Sequence, residues 1–77
     1  MNNARRKQLE AIITTLGDAK DNLQELFDEE SCACENLPEN LLYSERGETM
    51  CENVYDLEQS VDDLDSTISL LEEIVAR

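Results

Sequence analysis

"MCENVYDLEQSVDDLDSTISLLEEIVA", residues 50–76, sets Met50, Val54, Leu57, Val61, Leu64, Ile68, Leu71 and Val75 at spacings that alternate between four and three without a break. A β-strand, whose side chains repeat every two residues, cannot gather those positions on one face. An α-helix collects them into a single stripe, and the strict four-three alternation is that of a coiled-coil seam. Almost everything between the stripe positions is acidic or small and polar, so this helix has one face to bury and one to hydrate.

The same alternation stands upstream. Leu9, Ile12, Leu16, Ala19, Leu23 and Leu26 form a second stripe, which Ile13 and Phe27 widen on one flank. Gly17 lies beside it and costs about 1 kcal/mol relative to alanine in a helix interior; close helix approach and simple local weakness both account for it. Between the stripes runs "NLPENLLYSERGETM", residues 36–50. Pro38 cannot continue the first helix and holds Leu37 away from helical angles. Ser44 followed by Glu45 reads as an N-cap with an acid in the first turn, where the helix dipole favours it. Leu41, Leu42 and Tyr43 are too apolar for a free linker, and they are expected to fold over the open end of the helix pair as a plug of one short helical turn.

If the chain reverses at Pro38, Leu26 meets Leu57, Leu23 meets Val61, Ala19 meets Leu64, Leu16 meets Ile68, Ile12 meets Leu71 and Leu9 meets Val75. The two numbers in each pair total 83 or 84, the constancy an antiparallel hairpin needs. The predicted fold is therefore all-α: a single domain over 1–77, an antiparallel two-helix hairpin with helix 1 at about 3–35, a connection at 36–43 and helix 2 at about 44–76. Ile13, Phe27, Leu70 and Ile74 fall outside the narrow seam. Pairing of two hairpins as a homodimeric four-helix bundle would cover them, and a 77-residue chain has little core of its own to spare.

Nineteen acids against six bases give a net charge of -13, and Arg5, Arg6 and Lys7 concentrate half of the bases near the start. Such a surface repels nucleic acid and anionic lipid and attracts basic protein. No apolar run approaches the ~20 residues of a membrane span, and "MNNARRKQLEAIITTLGDAK" lacks the apolar core of a signal peptide; a cytoplasmic protein is expected. Cys32, Cys34 and Cys51 are odd in number and have no secretory context, so reduced thiols are the default.

Catalytic and metal chemistry find little support. Histidine is absent, which removes the commonest general base and metal ligand. The register brings Cys34 close to Cys51, and three thiolates with Glu35 or Glu52 make up a zinc donor set; on a helix, however, the C-x-C of Cys32 and Cys34 points its sulfurs about 200° apart. A Cys34 to Cys51 disulfide formed on oxidation and passive small side chains are the other readings. Asp63 and Asp65 match the first positions of a calcium loop, but Ile68 and Ile74 stand where that loop needs its glycine and its bidentate acid. No cofactor, no metal and no enzymatic activity are expected.

The acids themselves carry the remaining signal. Glu52, Asp56 and Asp63, with their neighbours Glu48 and Asp62, recur three to four or seven positions apart, so that carboxylates project in rows from one helix. Duplex DNA carries about one charge per 1.7 Å of axis, and an acidic rod of similar density would occupy a groove built for nucleic acid. Glu52, Asp56, Asp62, Asp63 and Asp65 are the candidate partner contacts, and Ile13, Phe27, Leu70 and Ile74 the candidate dimer contacts.

The N-L-P-x-N-L-x-x-S-E-R-G-E-x-M segment from Asn36 to Met50, the basic start and the second helix of repeated L-E-x-x-hydrophobic units together resemble a group of short acidic proteins of phages and prophages. The resemblance spans nearly the whole chain, and the central segment is its specific part. It implies a helical, phage-encoded protein acting inside a bacterium. Phages use small acidic proteins against host nucleic-acid-handling and defence machines, so the resemblance favours a protein-binding inhibitor of a basic host protein. The alternative is a non-catalytic assembly module whose hairpin only joins chains.

Overall fold

A computed structural model describes residues 1–77 and is all-helical, with helices α1 at Asn3–Glu35, α2 at Glu39–Leu42 and α3 at Glu45–Ala76. α1 and α3 pack along each other as the two arms of a hairpin, and the molecule measures 59 × 15 × 14 Å. Only two residues, Gly47 and Ile68, are buried, and Ile68 still keeps 8% exposure. With so small an interior, the stability of the monomer rests on a half-buried seam rather than on a globular core.

Each long helix starts on a side-chain cap. Asn2 precedes α1 and its Oδ1 accepts from the Arg5 N–H at 2.8 Å. Ser44 precedes α3, its Oγ accepting from the Gly47 N–H at 3.2 Å and donating to the Leu41 carbonyl at 2.6 Å. The serine thereby joins the cap of α3 to the turn before it, satisfying groups a helix end leaves unpaired. α1 stops just before Pro38, where the Asn36 N–H returns to the Cys32 carbonyl at 3.0 Å. The Pro38 carbonyl then accepts from the Leu41 and Leu42 N–H groups and starts the single turn α2.

The plug differs from expectation in which atoms do the plugging. Leu42 and Leu37 are half-buried, but Leu41 is exposed and Tyr43 stands 77% exposed. What closes the end is backbone against backbone: a Cβ built on Gly47 would lie 2.2 Å from the Leu41 carbonyl oxygen and 2.8 Å from that of Leu42. α2 therefore sits on α3 at a distance only glycine permits. Gly17, by contrast, has nothing within 4 Å of the corresponding position, so close helix approach does not explain it.

The seam on α3 is the predicted one, from Met50 through Val75. The seam on α1 is rotated. Its covered positions are Arg6, Leu9, Ile13, Leu16, Lys20, Leu23, Phe27, Glu30 and Cys34, again alternating three and four, while Ile12, Ala19 and Leu26 face solvent. Ile13 and Phe27, expected on a free flank for dimer contact, are thus half-buried within the hairpin, as is Ile74; of the four predicted dimer contacts only Leu70 is open, at 55% exposure. The rotated register exchanges Leu26 for the larger Phe27 and Ile12 for Ile13, which offsets the loss of Ala19 to Lys20. It also gives both basic seam residues a partner on α3. Lys20 Nζ lies 2.9 Å from Asp65 Oδ1, and the Arg6 guanidinium donates to the Val75 carbonyl, each laying an aliphatic stem along the seam while its charged head leaves it.

The cysteines depart further from expectation. Cys34 and Cys51 form a disulfide with Cα atoms 5.7 Å apart, and Cys32 is free and exposed. The rotated seam is the physical reason: Cys34 continues the Phe27 row, which sets its Cα at the separation a disulfide requires. The bond, the Lys20–Asp65 pair and the Arg6–Val75 contact join residues whose numbers total 85, 85 and 81, and they straddle the 83–84 of the predicted hairpin.

Candidate functional site

α3 carries its acids on an elongated, two-helix-thick support, and the structure separates the five predicted contacts into groups. Glu52 and Asp56, one turn apart, line the same surface groove together with Glu48, also on α3. Asp62 and Asp63 lie further along α3 and are exposed, and the Asp63 carboxylate accepts from Gln59 Nε2 at 3.0 Å. Asp65 differs from the rest because it holds Lys20. The hydrogen bond to Asp65, and then the carboxylate's charge, raise the Lys20 ammonium above its ordinary pKa. Asp65 is the one of the five that has a cation within the hairpin, though its side chain stays 64% exposed.

That pair is the only salt bridge of the molecule. Glu48, Glu52, Asp56, Asp62 and Asp63 are all exposed without a cation, and they crowd negative charge onto the outer side of α3. The density is lower than a duplex mimic would need. Thirteen net charges over 59 Å amount to one per about 4.5 Å, against about one per 1.7 Å for duplex DNA and one per 3.4 Å for a single strand. The rod resembles one strand rather than two.

The groove is where α2, its C-cap and the first turns of α3 meet. Leu42, Tyr43, Cys51 and Tyr55 give it an apolar and aromatic lining, and Glu48, Glu52 and Asp56 give it charge; it is shallow, covers about 630 Å³ and lies open to solvent. The disulfide at Cys51 ties its floor to α1. Tyr43 and Tyr55 were not among the predicted contacts. Their signal in the sequence was compositional: in a chain with no tryptophan and one phenylalanine, both tyrosines fall within thirteen residues, amid Glu45, Glu48, Glu52 and Asp56.

Elsewhere the surface offers little chemistry. No group of three or more cysteine, aspartate or glutamate side chains is placed to hold a metal ion. No helix is long and apolar enough to cross a membrane. Ile12, Leu26 and Leu70, each more than half exposed, are single apolar positions on the outer faces of the two arms. No protein family, curated protein or solved structure matches the chain.

Proposed function

We propose that this chain is a non-catalytic protein-binding inhibitor, of the kind small phage proteins supply, that occupies the nucleic-acid-binding surface of a basic host protein. The observation that carries the reading is the unpartnered acidic face of α3, borne on a rod that a tight backbone contact and a cross-helix arginine hold in one shape. Carboxylates fixed on a helix lose little entropy when they meet a basic groove, and they steer encounter at low ionic strength. With its charge spaced nearer to a single strand than to a duplex, the rod suits a groove for one strand, in which its carboxylates would stand where phosphates do.

A host cytoplasm is the setting this function implies. There the Cys34–Cys51 bond would be exposed to reduction, and the non-covalent contacts of the connection would have to maintain the hairpin.

The test is retention of host proteins from a bacterial lysate at low and high salt, followed by competition between the chain and single-stranded nucleic acid for each retained protein. Reversing Asp56 and Asp63 together (Asp56→Lys, Asp63→Lys) should weaken target binding at least about tenfold while leaving helicity intact, since neither side chain is on the seam. Undiminished binding by that variant at low salt would end the acidic-face reading.

A second reading rests on Ile12, Leu26 and Leu70, whose exposure a second hairpin would relieve. In that reading the chain is an assembly module and the charge keeps it dispersed. Light scattering separates the two. A mass of two chains that survives high salt, with the alanine variant at Ile12 and Leu26 monomeric, favours assembly.

A further inference from the structure

Tyr43 and Tyr55 are 77% and 69% exposed, more than any other large apolar or aromatic side chain of the molecule, and both belong to the one groove that Glu48, Glu52 and Asp56 also line. Solvation alone would not select tyrosine at these positions, because a ring leaves apolar faces in water where a short polar residue would not. We propose that the groove between Tyr43 and Tyr55 seats an arginine side chain from a basic segment of the partner protein. The inference rests on the inhibitor reading and names the chemistry by which the partner is recognised.

Charge complementarity selects a cation: three carboxylates line the groove and none has an ion-pair partner in the chain. The aromatic lining selects between cations. A planar guanidinium stacks on a tyrosine face while its edge donates to a carboxylate through two parallel N–H groups, whereas a lysine ammonium is a compact, strongly hydrated charge that gains less from the ring. Leu42 adds an apolar wall for the arginine stem. A second copy of this chain is disfavoured as the source of that arginine, since each copy carries a net charge of -13.

The chain contains two tyrosines and no tryptophan, so its intrinsic fluorescence reports on this groove alone. The experiment titrates the oxidised full-length protein with a synthetic peptide of alternating arginine and glycine, and separately with the same peptide carrying lysine, at low and moderate salt. The arginine peptide should change the tyrosine emission and bind several-fold more tightly than the lysine peptide. Tyr55→Leu and Tyr43→Leu should each weaken the arginine peptide roughly two- to fivefold and bring its affinity towards that of the lysine peptide. Both side chains are exposed, so circular dichroism should show unchanged helicity.

Equal affinity for the two peptides, unaffected by either tyrosine variant, would overturn the arginine site while leaving general acidic attraction in place. No binding of either peptide at low salt would count against the inhibitor reading as well. Self-association of the protein alone that disappears on changing Arg5 and Lys7 to alanine would assign the groove to a second copy, and would also overturn the proposal.

Discussion

The two ends of the rod are closed by different means. At the connection, α2 lies against Gly47 at a separation that excludes a methyl group, Ser44 links the turn to the cap of α3, and the Cys34–Cys51 bond ties the arms together. At the far end a single side chain, Arg6, reaches from α1 to the Val75 carbonyl in the last turn of α3. One end is fixed by covalent and backbone contacts whose loss should be felt throughout the hairpin; the other is fixed by a charged group whose loss should be felt locally. The proposed partner groove is built on the first of these, and preorganisation explains that placement: a site on the rigid end orders little on binding.

The largest expected effect comes from removing the covalent strap. The bond closes a loop with a sequence separation of 17, for which constraint of the unfolded chain gives about 3 kcal/mol. Changing Cys34 and Cys51 together to serine should lower the melting temperature by roughly 12 °C or more. Reductant should do the same to the original protein and nothing to the variant. A melting temperature indifferent to both would show that the backbone contacts hold this end unaided.

Gly47→Ala attacks those backbone contacts with the disulfide left in place. The added methyl meets two backbone carbonyl oxygens rather than a side chain that can rotate away, so α2 must shift, at a cost of about 1–3 kcal/mol. Gly17→Ala is its counterpart in the middle of α1. There the new methyl meets nothing, the backbone is already helical, and the change should stabilise by about 0.5–1 kcal/mol. Thermal melts of the two variants should move in opposite directions, and movement in the same direction would break the distinction between the packed connection and the open middle of the rod.

The sequence made the hairpin readable because each arm repeats its apolar spacing over several turns and Pro38 interrupts only once. α3 offers one stripe, and the structure uses it. α1 offers two, one through Ile12, Ala19 and Leu26 and one through Ile13, Lys20 and Phe27. Choosing by hydrophobicity alone favours the first, because it contains no charge. The second prevails through features that a ranking by hydrophobicity does not weigh: the volume of Phe27 and the acceptors waiting for Arg6 and Lys20 on the other arm. The same rotation half-buries Ile13 and Phe27 and leaves Ile12 and Leu26 exposed. At the site, helical spacing placed Glu52 and Asp56 together, whereas the pairing of Asp65 with Lys20 and the outward turn of Tyr43 depend on contacts between elements.

A smaller effect is expected from Arg6→Gln. The guanidinium satisfies a carbonyl at the end of α3, which has no basic residue of its own in its last turn before Arg77, a favourable cation position worth about 0.3–1 kcal/mol. Hydrogen exchange should speed up at the last amides of α3 and stay unchanged around Gly47. Exchange that rises equally at both ends would mean that the hairpin opens as one unit and that its ends are not separately fixed.

The smallest effect belongs to the Lys20–Asp65 pair, between the two ends. Its side chains are 29% and 64% exposed, so water and salt screen most of the attraction. The sign of its pH dependence is nevertheless defined. Hydrogen bonding to Asp65 raises the folded-state pKa of Lys20 above its ordinary 10.5, and the folded protein holds this proton more firmly than the unfolded chain. The stabilisation is complete below the unfolded value and is lost as pH rises through the higher folded one. Lys20→Met keeps an apolar stem in the seam and removes the charge. Melts of the two proteins at low salt should therefore differ by a constant amount from about pH 7 to about pH 10 and converge above it, and added salt should shrink the difference throughout that window. A difference that persists unchanged into strong alkali would assign Lys20 to packing alone, and the middle of the rod would then be held by its apolar seam without help from the pair.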